Sequence, residues 1–574
     1  SSKKGHKLTK AQRARQQQEE EERKLREEEA RLQAERQEQE RLRREQKERE
    51  VRRLELKDEE RRDGELEELR LLLQENQEKW ERYMRCDGTP DPTERRHVNT
   101  YISMWRDDPE VNITQVLQQC SCALLTEELE VLLEEVSDPE EEEKLQESFV
   151  NLQEIIHLKL NLAAEEILKA ANKNIDPETE NMQTEIMDDN VTLCLWANLR
   201  KRIFKGFHFE KAGLSFELPK CLAVKDIAIG ILHTRYDHLS MGSDDVVDLL
   251  KYSPLGGVFY YGVFHLPPQV HLLSHWEVRE IVDSGLKAFP YTAETSSSDD
   301  SEAPSDPHVG VSVTLPDWAR FLKTPKVALW DAATRWVGGV MDLTYQEAET
   351  KVSFRMPSFR PFVLMQETYA NLPFQSWELR PLSDNSALFS ISGALLHLSI
   401  TENLCMLQSD QRKGLAHILG RWMSRAALQR AMTKAGLHIF VNEHTHRYVH
   451  TCRKNPTTEH AAYQQMALLA SACAFSWSKW NTQCGDEHLV MQVCEHLPPT
   501  AVPAGRWSLY LLGPQRVQRL EATEDSEAFS LDHHPDSEFH STLVHMLRDT
   551  MSPDGAARTR ESGYRFVEAV QSLL

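Results

Sequence analysis

The sequence predicts a multidomain α+β protein: a long charged N-terminal helix, a helical region, antiparallel β-sandwich-like domains and a C-terminal α+β domain, with no WD-repeat propeller. Three observations carry this expectation. Residues 7–62 contain no Gly, no Pro and no aromatic residue. From residue 191 onward, short β-branched and aromatic runs recur at strand length. Helical periodicity returns in the last third of the chain.

The expected divisions are 1–62 (charged single helix), 63–190 (helical region), 191–290 (first β-rich block), 291–310 (acidic disordered loop), 311–411 (second β-rich block) and 412–574 (C-terminal α+β domain). In the first segment almost every residue is a strong helix former. Glu precedes a basic residue by four positions repeatedly, as in Glu19–Arg23, Glu40–Arg44 and Glu48–Arg52. Each such pair adds roughly 0.2–0.5 kcal/mol to an isolated helix. A coiled-coil seam is not sustained, because the heptad step from Leu25 through Leu32 lands on Gln39. The segment reads as a solvated single helix of about 84 Å at ~1.5 Å per residue.

Asp63-Gly64 is expected to break this rod. A second helix then runs from about Glu65 to Met84, and its stripe of Leu66, Leu69, Leu73, Trp80 and Met84 is expected to dock onto the body. Asp138-Pro139 followed by four Glu marks a helix start within residues 93–190. Expected strands lie at 193–199, 213–218, 228–237 and 256–268, then at 334–345, 351–356, 362–369, 376–382, 387–392 and 395–400. Between the blocks, TAETSSSDDSEAPSDP is polar, acidic and Pro-bearing, the composition of a disordered loop. Its Ser296–Ser298, ahead of Asp299, Asp300 and Glu302, suit an acid-directed kinase. Further on, a helix is expected at 415–435 with Gly436 as its C′ residue. Strand-like runs follow at 437–441 and 447–451, a helix at 458–472, strands at 473–480, 488–495 and 506–513, and helices from about 537.

The formal net charge is −23. Residues 1–62 hold 21 basic and 17 acidic residues, a balance of +4, against 47 and 74 in the remainder, a balance of −27. A body this acidic disfavours nucleic acid. The weakly basic arm suits an acidic surface, with Arg41, Arg43, Arg44, Arg52 and Arg53 supplying charge. Such exposed contacts weaken with salt, since screening acts over ~8 Å at physiological ionic strength. No apolar run approaches the ~20 residues of a membrane helix, and SSKKGHK does not read as a signal peptide. The 10 Cys show no disulfide framework, as expected of reduced thiols in a cytoplasmic protein.

Motifs for catalysis do not emerge. There is no G-x-x-x-x-G-K-[ST] loop and no G-x-S-x-G elbow. Cys120-Ser-Cys122 reads as core or surface thiols. Glu443, His444, His446, His450 and Cys452, and likewise Cys473, Cys484, Cys494, His488 and His496, lack paired zinc-ligand spacing. Asp237-His238 and Asp532-His533-His534 are neighbours in sequence only, which fixes no catalytic geometry. Trp330-Asp331 resembles a propeller-blade ending, but no copy follows at 40–45 residues. No enzyme activity, cofactor or metal is expected. Trp80, Trp377, Trp477 and Trp480 read as core or partner-docking anchors.

Four long strings carry a resemblance. The rod from KKGHKLTKAQRARQQQEEEERKLREEEARL, FELPKCLAVKDIAIGILHTRYDHLS (216–240), LPFQSWELRP (372–381) and AFSWSKWN (474–481) resemble the axonemal dynein intermediate chain 7 family, also called cancer susceptibility candidate 1. The resemblance implies a non-catalytic subunit of an inner-arm dynein in motile cilia and flagella. It implies tubulin and dynein heavy and intermediate/light chains as partners, and a location in the cytoplasm and the axoneme. Better-known dynein intermediate chains carry WD-repeat propellers, which this sequence lacks. The rival expectation is a cytoplasmic adaptor or cytoskeletal linker unrelated to dynein; axonemal staining in multiciliated cells separates the two.

Overall fold

The computed structural model describes residues 10–573 apart from 86–89, 91–93, 110, 121–128, 130–131, 134–137, 201–204, 238, 241–246, 282–284, 294–305, 373, 375, 393–395, 402–403, 409–414, 442–443 and 450–453. Ser296–Ser298, Glu443, His450 and Cys452 therefore lie outside the described residues. The chain splits into two compact units, Ser1–Pro90 and Asp91–Leu574.

In the first unit, α1 (Lys10–Arg85) is one helix of 76 residues. It does not break at Asp63-Gly64, as the sequence suggested. A single Gly costs about 1 kcal/mol relative to Ala, far less than the ~3 kcal/mol of a Pro. A side-chain pair also bridges the site, Arg61 reaching Glu65 at 3.8 Å, and Arg62 pairs with Asp58 at 3.1 Å just before it. Further ion pairs line the helix, such as Arg23–Glu27 at 3.6 Å and Arg70–Glu67 at 3.2 Å.

The second unit opens with α2 (Arg95–Asp107), α3 (Ile113–Cys120) and α4 (Pro139–Lys169). The start of α4 is the one expected: the Asp138 carboxylate accepts from Glu140 N at 3.3 Å and Pro139 occupies the first turn. Its apolar face of Phe149, Leu152, Ile156, Leu160 and Ala164 is buried. The buried Lys159 Nζ donates to the Asp108 carbonyl beyond the end of α2.

The following strands are β1 (Met182–Met187), β2 (Val191–Ala197), β3 (Gly206–Phe209), β4 (Leu214–Glu217), β5 (Ile227–Thr234), β6 (Tyr252–His265), β7 (His271–Leu273) and β8 (Trp276–Val278). Next come β9 (Val309–Thr314), β10 (Lys326–Asp331), β11 (Arg335–Val337), β12 (Met341–Gln346), β13 (Lys351–Met356) and β14 (Phe362–Glu367). Seven of them form one antiparallel sheet in the order β1-β2-β5-β6-β14-β10-β11, and five form a second, β12-β13-β9-β4-β3. The strand-rich stretches 191–290 and 311–411 thus do not form separate sheets; β14 pairs directly with β6, Phe362 opposite Phe259.

The two sheets share a core of Trp196, Ile229, Phe259 and Phe362 from one and Phe216, Val311, Val352 and Phe354 from the other. The opposite face of the seven-stranded sheet packs Leu193, Leu195 and Ala228 against the helical layer. β2 is consequently buried at all seven positions. Being covered on both faces explains why an antiparallel strand reads as continuously apolar. Gly230 and Gly262 sit opposite each other where the Phe264 ring lies, and a Cβ on Gly262 would approach that ring to 2.6 Å.

Several sequence expectations change here. β1 lies in the region expected to be helical, 63–190; MQTEIM is short and half-exposed, with three consecutive polar residues and no alternation to mark it as a strand. Val309 and Gly310, placed in the acidic loop, belong to β9. The run 334–345 is two strands in different sheets, parted at Gly338-Gly339, where Gly339 takes φ +138.

The rest of the unit contains β15 (Ser376–Ser383), β16 (Ser386–Ser392), β17 (Leu396–Ile400), β18 (Cys405–Gln408), β19 (Trp422–Met423), α5 (Arg425–Lys434), α6 (Pro456–Leu469), β20 (Cys473–Trp477), β21 (Leu489–Glu495), β22 (Ser508–Leu512), β23 (Val517–Arg519), α7 (Leu543–Thr550), α8 (Pro553–Glu561) and α9 (Tyr564–Leu573). A nine-stranded sheet runs β19-β18-β17-β16-β15-β20-β21-β22-β23. One face packs Leu379, Phe389, Phe475 and Met491 against Leu428 of α5, Met466 of α6, Leu543 and Met546 of α7 and Phe566 of α9. The helix expected over 415–435 is only α5: Gly420 at φ +70 and β19 precede it, and Ser424 caps it through Ala427 N at 3.3 Å. Gly436 takes φ +85, as its expected C′ role requires. Residues 437–441 form no strand, and Thr445–Tyr448 is a helical turn.

Gln366 on β14 ties the two sheet systems together. Its Nε2 donates to Gly436 O at 2.9 Å and its Oε1 accepts from Leu322 N at 2.6 Å. A Cβ on Gly436 would sit 2.6 Å from Arg320 O, so the close approach needs glycine.

Candidate partner-binding surfaces

The five arginines proposed for contact with an acidic surface all lie exposed on α1. At roughly 100° per residue, Arg41, Arg44 and Arg52 share one side of the helix, Arg53 lies about a third of a turn round and Arg43 lies opposite. Glu45 and Glu48 share the side of Arg41 and Arg44, so the charge there is mixed. Arg41 bonds Glu38 at 2.5 Å and reaches Glu45 at 4.0 Å, and the Glu38 bond raises its pKa above the ordinary arginine value. Arg53 pairs with Glu50 at 3.0 Å. Among the described residues Arg43, Arg44 and Arg52 are in no ion pair.

The four tryptophans separate. Trp377 is buried beside Phe389 in the core of the nine-stranded sheet. Trp480 is buried on that sheet's other face, stacked on Phe529 at 5.7 Å, with Nε1 donating to Thr523 O at 3.1 Å. Both side chains are covered within this unit: alternation along a strand says a face is covered, not by whom. Trp477 is half-buried against the core. Trp80 on α1 is 61% exposed, together with Leu66, Leu69, Leu72 and Leu73 at 53–58%. These are the values within α1 for the described side chains of the stripe. A further exposed apolar element is the β7–β8 hairpin, with Leu273 and Trp276.

Two of the cavities among the described residues of the second unit bear on chemistry. The larger, about 420 Å³, lies where the two sandwiched sheets splay, lined by Asp188, His208, Glu210, His233, Arg235 and Trp318 among others. His233 is stacked on Phe259 at 4.1 Å and its Nε2 lies 2.7 Å from Gly256 O. Burial lowers its pKa to about 4, so the neutral ring donates to that carbonyl and is not free to act as a base. Arg235 lies over the Trp318 ring at 5.4 Å. The smaller cavity, about 190 Å³, is lined by Cys473, Cys494, Arg506, Tyr510 and Arg519 among others. Burial pushes both thiols up, leaving them protonated and unreactive.

Cys122 and His238 lie outside the described residues, and of the other histidines and cysteines singled out in the sequence Cys484 and His496 make local bonds. Cys484 lies 3.1 Å from Lys454 Nζ and 3.2 Å from His488 O, and His496 Nε2 lies 2.6 Å from Thr500 O. Among the described residues no cluster of three or more His, Cys, Asp or Glu could hold a metal. Trp330-Asp331 closes the β10–β11 hairpin: Asp331 accepts from Ala333 N at 2.9 Å and pairs with Arg360 at 2.9 Å. The described sheets are open, and none is a repeated propeller blade. No described helix is long and apolar enough to cross a membrane.

Fold and surfaces together define a class: a multidomain antiparallel α+β protein preceded by a charged helix without a core of its own. Comparison with known proteins narrows it. Residues 21–203 match the family model described as cancer susceptibility candidate 1 N-terminus. Dynein axonemal intermediate chain 7 of Danio rerio is 43% identical, covering 89% of each chain. The protein of that name from Homo sapiens is 34% identical over 88% of this chain and 87% of its own, and the Ciona intestinalis homolog is 29% identical over 81% and 82%. The chain belongs to the dynein axonemal intermediate chain 7 family.

Proposed function

We propose that this chain is a non-catalytic structural subunit of an inner-arm axonemal dynein, assembled with dynein heavy and intermediate/light chains and supporting ciliary and flagellar beating. The carrying observation is similarity to dynein axonemal intermediate chains along nearly nine-tenths of both chains. Buried, protonated thiols and a hydrogen-bonded neutral His233 agree with a body that recognises proteins and transforms nothing. The chain is made in the cytoplasm and works on the axoneme. Tagged at its endogenous locus in multiciliated cells, it is expected along the ciliary shaft and in salt extracts with dynein heavy chain. Diffuse cytoplasmic signal with no dynein recovery would sink this reading.

In this reading α1 lies on tubulin, with Arg43, Arg44 and Arg52 free of ion pairs within the helix. Mixed charge makes the contact weak and salt-sensitive. Deleting residues 1–62 should abolish low-salt co-sedimentation with microtubules; unchanged sedimentation rejects this placement.

A further inference from the structure

The smaller cavity holds positive charge that its own walls leave unanswered. It lies between the helix-covered face of β21–β23 and the C-terminal end of α7, with Val493, Tyr510, Leu547 and Met551 as its apolar wall. Tyr510 stands opposite Arg519 across the β22–β23 pair, and Ser508 opposite Val493 across β21–β22. The turn before β22 brings in Arg506, whose N–H donates to Pro503 O at 3.3 Å. At about 190 Å³ the space far exceeds the roughly 10–15 Å³ that one water needs.

Three charged side chains line it: Arg506, Arg519 and Glu495. Glu495 already has partners: its carboxylate accepts from Ser552 N at 2.9 Å and from the Ser552 hydroxyl, which fixes the start of α8. Arg519 Nη2 donates to Ser508 Oγ at 3.0 Å, but its buried Nε finds no acceptor among the described residues. Among the described residues neither Arg506 nor Arg519 is in an ion pair, although residues 63–574 hold 74 acidic against 47 basic groups. A buried donor without an acceptor is rare and costly, and it marks where an acceptor belongs. A guanidinium presents parallel N–H groups that match the two oxygens of a carboxylate or a phosphate. Charge balance selects between these. Two cations against one anion leave a surplus of one. A carboxylate brings a single negative charge, whereas a phosphate monoester brings about −1.5 to −2 at pH 7 and would meet repulsion from Glu495.

We propose that this cavity is a binding site for a carboxylate group, held by Arg519 through its Nε edge and by Arg506 at the mouth, with Ser508 on its flank. Two sources supply that chemistry: a free small carboxylate, or the acidic side chain of another protein. The inference goes beyond the dynein reading and stands or falls without it.

The test uses the full chain and phenylglyoxal, which modifies guanidinium groups. Modification of the exposed Arg506 is followed by peptide mass spectrometry, with exposed Arg43 on α1 as the internal control. Sodium acetate at fixed ionic strength should protect Arg506 saturably, by about tenfold at ten times its Kd, and leave Arg43 unchanged. Inorganic phosphate should protect only at higher concentration. The peptide acetyl-Gly-Glu-Gly-amide separates the two sources: protection at lower concentration than acetate assigns the site to a protein side chain, and otherwise to a free carboxylate. The Arg519→Lys variant keeps the charge but loses the fork, and should weaken acetate protection of Arg506 about tenfold at an unchanged urea midpoint. Unsaturable protection or none, equal protection of Arg43, phosphate acting at lower concentration than acetate, or an Arg519→Lys variant protected like the wild type would each overturn the proposal.

Discussion

Helices α1 and α4 are written in much the same alphabet of Glu, Leu, Gln, Lys and Ala, yet they end in opposite environments. α4 spends its apolar residues at three- and four-residue spacing over eight turns and buries them under the seven-stranded sheet. α1 scatters Leu25, Leu32 and Leu42 too thinly for any layer to cover, and they remain exposed. The difference teaches that helix propensity and side-chain pairing suffice to write a helix, whereas its place in a core is decided by apolar density per turn.

The sharpest way to break this comparison is truncation on either side of it. Trp196→Ala, at a fully buried position between the sandwiched sheets, should destabilise the body by about 3–5 kcal/mol, and Leu152→Ala on α4 by about 2–5 kcal/mol. Leu42→Ala on α1 should stay within about 0.5 kcal/mol. Urea unfolding followed by tryptophan fluorescence measures all three, and equal losses would erase the distinction.

Titration of two buried histidines should act on the second unit only. Burial lowers His233 and His438 to about 4, below the ordinary 6.5 of the unfolded chain. The unfolded state therefore takes up these protons first, so the stability involved is present above about pH 6.5 and is lost as pH falls toward 4. For His233 this amounts to roughly 3 kcal/mol. The His233→Phe variant should flatten the stability–pH curve in that window relative to wild type, with helicity of α1 unaffected.

Two glycines give smaller and opposite effects. Gly436→Ala meets both a positive φ and the Arg320 carbonyl, and should cost about 1–3 kcal/mol. Gly64→Ala has open space around it and should stabilise α1 by about 1 kcal/mol. Circular dichroism during thermal melting reads the second, and chemical denaturation reads the first.

Local features were legible in the sequence where one element decides its own fate. KVSFRM is β13 to the residue, Asp138-Pro139 opens α4, and Gly436 ends α5. Sheet membership was not, because β14 is placed by β6 a hundred residues earlier and β9 by β4 and β13. The tryptophans show the same limit at the surface. Trp377 and Trp480 acquire covering layers from distant strands and loops, while Trp80 on α1 is 61% exposed. Residue type announces an apolar body; only topology says what lies against it.

The continuity of α1 through Gly64 makes it a ruler. At ~1.5 Å per residue its 76 residues fix about 114 Å between whatever grips its two ends. Inserting seven residues near the middle lengthens that gauge by about 10 Å and turns the far end by only some 20°, whereas inserting four twists it by about 40°. An axoneme assembled with each insertion would register length and phase as separate quantities.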